Sequence, residues 1–97
     1  MPSVNLTIKW PNGDLSNFYS PSTIIYDFFK SGEHYKAADF LSKADQALHA
    51  ASERVRMRYG FSCTSAMDTL SKIQYQVKYL ALKQDDMVEV VELYNID

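Results

Sequence analysis

Val4, Leu6, Ile8 and Trp10 alternate with Asn5, Thr7 and Lys9, a period of two that predicts a strand with one buried and one wet face. Pro11-Asn12-Gly13-Asp14 follows at once, and Asn-Gly readily takes the positive φ angles of a tight hairpin. The return strand, about Leu15 to Tyr19, is shorter and more polar, as an edge strand would be. Ser20-Pro21-Ser22 then reads as a stop, because proline cannot donate to a ladder yet suits a first helical turn. Thr23 to Phe29 fits a short helix closed by Gly32. It also fits an extended segment, since Thr23, Ile24 and Ile25 are β-branched.

From about Lys36 to Tyr59 the period changes. Ala37, Leu41, Ala44, Leu48, Ala51, Val55 and Tyr59 recur at spacings of three and four and draw one apolar stripe along a helix. Asp45 and His49, four apart, can pair on its wet side. Gly60 stands where a left-handed cap would end the helix, and Arg56 and Arg58 in the last turn favour its negative pole. Ser65, with Asp68 three residues later, resembles a capping pair opening a second helix that runs to about Leu82. Its seam is Ala66, Leu70, Ile73, Val77 and Leu80, a rhythm suited to packing on the first helix. Met87 to Tyr94 is a valine-rich final strand. The expectation is one α+β domain over residues 1–97: a three-stranded sheet in β-β-α-α-β order, covered on one face by a two-helix hairpin. The last strand is expected beside the first, with the polar second strand at an edge.

Composition narrows the function classes. A formal charge of −2 with both signs interspersed gives no basic stripe to neutralise phosphates, so nucleic acid is not an expected partner. No apolar run is long enough to cross a bilayer, so no membrane association is expected. The first residues lack the basic-then-apolar layout of a secretory signal, and Cys63 is the single cysteine. A reduced, cytoplasmic protein is the expectation.

Candidate chemistry is sparse. A thiol near a helix N-terminus gains thiolate character, which makes Cys63 a possible reactive group; a buried apolar thiol is the competing reading, since no base stands nearby in sequence. His34 and His49 share no metal-like spacing with Cys63 or each other, so neither metal nor cofactor is expected. Glu89 and Glu92 differ by an odd number, and a regular strand would send them to opposite faces. Asp85 and Asp86 read as a solvated loop. Arg54 and Arg58, four apart, could dock an anion or acidic partner, though Glu53 and Asp45 dilute that patch. Tyr75 and Tyr79 lie together on the second helix, off its seam, while Phe28, Phe29 and Tyr35 cluster before the first helix. Aromatics that a small core cannot cover mark an interface.

Trp10-Pro11-Asn12-Gly13, Tyr19-Ser20-Pro21-Ser22, Ala51-Ser52-Glu53-Arg54-Val55 and the run from Tyr59 to Ala66 together resemble the small nitrogen-starvation response proteins of bacteria. The resemblance spans nearly the whole chain. Where that family commonly has a proline after the tyrosine matched by Tyr35, this chain has Lys36, which alters how the helix starts. The resemblance implies a role in nitrogen limitation, encoded beside a nitrilase, a radical SAM protein, an acetyltransferase and a flavoprotein, and a link to nitriles or cyanide as nitrogen source. It transfers no catalytic residues. The leading expectation is a non-enzymatic accessory protein that binds another product of the cluster or itself. A small-molecule sensor using Arg54 or Arg58, and a thiol enzyme or redox switch built on Cys63, are the alternatives. A ubiquitin-type carrier is disfavoured by the ending Asn95-Ile96-Asp97, which lacks a glycine tail.

Overall fold

The computed structural model describes residues 2–60 and 64–96. The elements run β1 (Val4–Lys9), β2 (Leu15–Ser20), a 3-10 turn (Thr23–Asp27), β3 (His34–Lys36), α1 (Ala37–Tyr59), α2 (Thr64–Tyr79) and β4 (Met87–Asn95). The sheet has four strands in the order β2-β1-β4-β3, each pair antiparallel. The predicted α+β class and helix pair stand. Three strands become four, and the element order changes with them, because His34–Lys36 pairs with Met87–Glu89. Three residues are too short to display a period of two, so this strand exists through its partner. β4 lies beside β1 as expected, and β2 is an edge.

The hairpin joining β1 and β2 is looser than Asn-Gly suggested. Gly13 N–H donates to the Trp10 carbonyl at 2.9 Å and Trp10 N–H to the Asp14 carbonyl at 2.8 Å. Only Gly13 in this loop has positive φ, at 95°. Pro11 takes the second position of an ordinary turn and Gly13 supplies the left-handed residue, giving a three-residue loop. The segment after β2 resolves to a 3-10 turn, its first free N–H, that of Ile24, accepted by the Ser22 hydroxyl.

One sheet face is covered. Val4, Leu6, Ile8, Phe18, Val88 and Val90 pack beneath Phe40, Ala44, Leu48 and Ala51 of α1 and Leu70 and Ile73 of α2. Trp10 is the hub, edge-on to Phe18 at 6.2 Å and to Phe40 at 5.9 Å, its Nε1–H donating to the Ser16 hydroxyl at 2.8 Å. Phe40 and Ala47, outside the predicted stripe of α1, are fully buried, while Tyr59 is exposed. Phe29 and Tyr35 meet edge-to-face at 5.5 Å, so that cluster belongs to the core rather than to an interface.

The helix ends explain the boundaries. Lys36 offers α1 no side-chain cap; instead the carbonyls of Asp86 and Gln84 accept from Ala37 N–H at 2.7 Å and Ala38 N–H at 3.3 Å. The loop before β4 thus caps α1, and the Asp86 carboxylate accepts from Lys83 N–H at 2.8 Å, so Asp86 shapes this loop rather than merely being solvated. Gly60 closes α1 in the left-handed region at φ 82°, as expected. α2 begins at Thr64, which puts Ser65 inside the helix rather than at its cap. It ends at Tyr79, short of Leu82, because Ala81 adopts φ 51°, with Leu82 N–H donating to Val77 and Ala81 N–H to Lys78. That pair of bonds is the Schellman arrangement, here built on alanine.

The opposite sheet face is open. Its cross-strand rows read Tyr19–Asn5–Tyr94, then Asn17–Thr7–Glu92, then Leu15–Lys9–Glu89–His34. A bulge shifts the β1–β4 register between Thr7 and Ile8, leaving Val91 unpaired. It places Glu89 and Glu92 on the same face, contrary to the regular-strand expectation.

Candidate functional site

Along α2, Asp68, Ser71, Lys72, Tyr75, Gln76 and Tyr79 recur at spacings of three and four, so they share a helix face beside the buried seam. Five of these, Asp68 through Gln76, look across to Ser16 and Phe18 of β2 and enclose an open groove of about 450 Å³. Phe18 forms an apolar floor, 8% exposed, and the Ser16 hydroxyl is fixed there by Trp10. Asp68 and Lys72, one helical turn apart, give the wall one charge of each sign. Tyr75 closes the rim and stacks on Tyr79, ring centroids 6.1 Å apart and planes 17° from parallel. The two rings are 66% and 71% exposed.

The groove exists because α2 hangs over the sheet edge. The Thr69 hydroxyl donates to the Tyr19 carbonyl at 2.7 Å and anchors the helix at one end of β2. The groove opens between helix and strand beside that tether.

The predicted site residues fall in different places. Tyr75 and Tyr79 come together, and Tyr75 enters the groove. Arg54 and Arg58 are exposed near the end of α1. Neither arginine lines the groove that Tyr75 enters. Arg58 lies over the Tyr59 ring at 5.9 Å. Arg56 grips Glu53 through Nε at 3.0 Å and through Nη2, and these hydrogen bonds hold the Glu53 carboxyl below the usual carboxylate range. Cys63 lies outside the described residues.

Each histidine has a carboxylate neighbour: His49 Nδ1 is 2.8 Å from the Asp45 main-chain carbonyl and 3.4 Å from its carboxylate, and His34 Nε2 is 3.5 Å from the Glu89 carboxylate. No group of three or more metal-ligating side chains is gathered among the described residues. No helix of the described residues is long and apolar enough to cross a membrane.

Sequence reasoning missed Ser16, Phe18, Asp68, Ser71, Lys72 and Gln76. The face shared by the α2 residues was readable from their spacing. That β2 would stand opposite it was not, because nothing local in either segment specifies the other.

No curated protein and no solved structure matches the chain. A family model described as nitrogen starvation-induced protein NitG matches residues 5–93, which takes in every element from β1 to most of β4. The chain belongs to the NitG family of nitrogen starvation-induced proteins.

Proposed function

We propose that this protein is a non-catalytic accessory protein of the bacterial nitrogen-starvation response, working in the cytoplasm by binding a protein partner at the groove between β2 and α2. The observation that carries this reading is the stacked Tyr75–Tyr79 pair, ordered against itself yet largely exposed beside a groove. Tyrosines that keep a fixed geometry on the surface supply interface area at little entropic cost, and they are prominent among residues that dominate binding energy. The family resemblance suggests a partner from the nitrilase-containing gene cluster and a link to nitrile or cyanide nitrogen. The test is titration of purified products of the neighbouring genes against this protein. A micromolar or tighter complex is expected, weakened at least tenfold by the double change Tyr75→Ser and Tyr79→Ser. A protein that binds none of them at micromolar concentration overturns the proposal.

A second reading has one observation in its favour. A groove of about 450 Å³ is within the size range of small-molecule sites, and Lys72, rather than Arg54 or Arg58, is the cation placed to meet an anion there. A sensor of this kind would show a raised melting temperature in a screen of nitrogen metabolites, because a ligand that binds only the native state stabilises it. Flat melting curves across the screen would remove it.

A further inference from the structure

The outward edge of β2 carries backbone groups of known direction. Because Trp10 N–H bonds the Asp14 carbonyl, the alternation of an antiparallel ladder makes Ile8–Ser16, Leu6–Phe18 and Val4–Ser20 the hydrogen-bonded pairs. Leu15, Asn17 and Tyr19 therefore turn their N–H and C=O groups away from β1. The Tyr19 carbonyl confirms this direction, since it meets the Thr69 hydroxyl of α2. The remaining outward groups, at Leu15 and Asn17 and the Tyr19 N–H, flank Ser16 and Phe18, which line the groove.

We infer that the groove receives an extended segment of a partner protein, which adds to β2 as a fifth strand and sends alternate apolar side chains toward Phe18 and Tyr75. This rests on the interaction reading above and specifies its partner chemistry. An edge with alternating free donors and acceptors is complementary to an extended backbone, and a side pocket under every second residue gives selectivity. The size fits: about 450 Å³ holds a few residues, matching the short run of free groups. Lys72 and Asp68 stand on the wall to meet polar ends of the incoming side chains.

The overhang of α2 argues for a bare segment over a second copy of this chain. A symmetric β2–β2 pairing would set the two strands about 4.8 Å apart. Each copy brings an α2 that already reaches the strand edge through Thr69, whereas packed helices need axes about 8–10 Å apart. A segment without its own covering helix meets no such obstacle.

The probe is a displayed library of random octapeptides selected on the full chain, with binding of the selected peptides measured by fluorescence anisotropy. Enriched peptides should alternate apolar and polar residues. On binding, the Asn17 and Tyr19 amides should slow in hydrogen exchange at least tenfold. N-methylation of the peptide at alternate amides should weaken binding at least tenfold, while methylation at the intervening amides changes it less than threefold. Ser71→Trp, an exposed position on the groove wall, should block binding with the melting temperature retained. Failure to select any peptide, unchanged exchange at Asn17 and Tyr19, or equal sensitivity to methylation at both sets of amides overturns strand addition. If neighbouring gene products bind while these tests fail, the interaction reading stands and strand addition alone falls.

Discussion

The Thr69 hydroxyl sits 2.7 Å from the Tyr19 carbonyl, a bond between residues fifty positions apart that ties helix α2 to the edge of the sheet. It occupies one outward acceptor of β2 beside the groove. Thr69 is 6% exposed, so the bond is shielded from water. Thr69→Val keeps the shape and removes the donor. The expected loss is about 1–2 kcal/mol, the range for leaving a shielded acceptor without its partner. Urea denaturation measures it, and a change below about 0.3 kcal/mol would show that the tether does not hold α2.

Ala81 and Gly60 make a reciprocal pair of backbone tests. Ala81 holds φ 51° at the end of α2, where its Cβ costs roughly 1–2 kcal/mol. Ala81→Gly should stabilise the protein by about 0.5–1 kcal/mol, once the greater freedom of glycine in the unfolded chain is subtracted. Gly60 holds φ 82° with no atom within 4 Å of an added Cβ. Gly60→Ala should therefore destabilise by about 1 kcal/mol through backbone strain alone. Thermal melts of the two variants should move in opposite directions.

Phe40 is fully buried, with ring contacts to Trp10 at 5.9 Å and Phe29 at 5.4 Å. Phe40→Ala leaves a cavity beside the only tryptophan and should cost about 3–5 kcal/mol. Tryptophan emission reports it directly: a red shift is expected as water reaches the indole. An unshifted spectrum with native stability would mean the core closes around the gap.

Tyr35 gives the alkaline limb of stability a specific source. Desolvation raises its pKa above the ordinary tyrosine value of about 10, opposed by the hydrogen bond from Lys30 N–H and aided by the charge and hydrogen bond of Glu33. The folded state therefore holds the phenolic proton more tightly than the unfolded chain. The resulting stabilisation is complete below the unfolded value and is lost as pH rises through the folded one. Chemical denaturation between about pH 9 and pH 11 should show a steeper decline for the native protein than for Tyr35→Phe. Equal slopes would assign the decline to other groups.

How much of this was readable beforehand differs by element. The strand Val4–Lys9 and both helices declared themselves because each buries one face of a regular period, and the side chains along it carry that period. Gly60 marked its own cap. The end of α2 is not legible in sequence, because the left-handed residue is an alanine, which carries no breaker signal. Glu89 and Glu92 share a face that their odd spacing does not predict, because a bulge depends on the partner strand's register and leaves no mark on composition. Of the candidate site residues, Tyr75 and Tyr79 pair as their helical spacing required, whereas neither Arg54 nor Arg58 lines the groove.

Sequence alone determined which residues would be helix or long strand, which faces would be greasy, and which family the chain resembles. Tertiary structure decided the fourth strand, the backbone cap that Asp86 and Gln84 give α1, and the groove itself. The division has one physical cause. Periodic burial is written in neighbouring residues, but β3, the cap and the groove are made of backbone and side-chain groups from segments 46 to 60 residues apart. Those groups meet only when the whole chain has closed over Trp10.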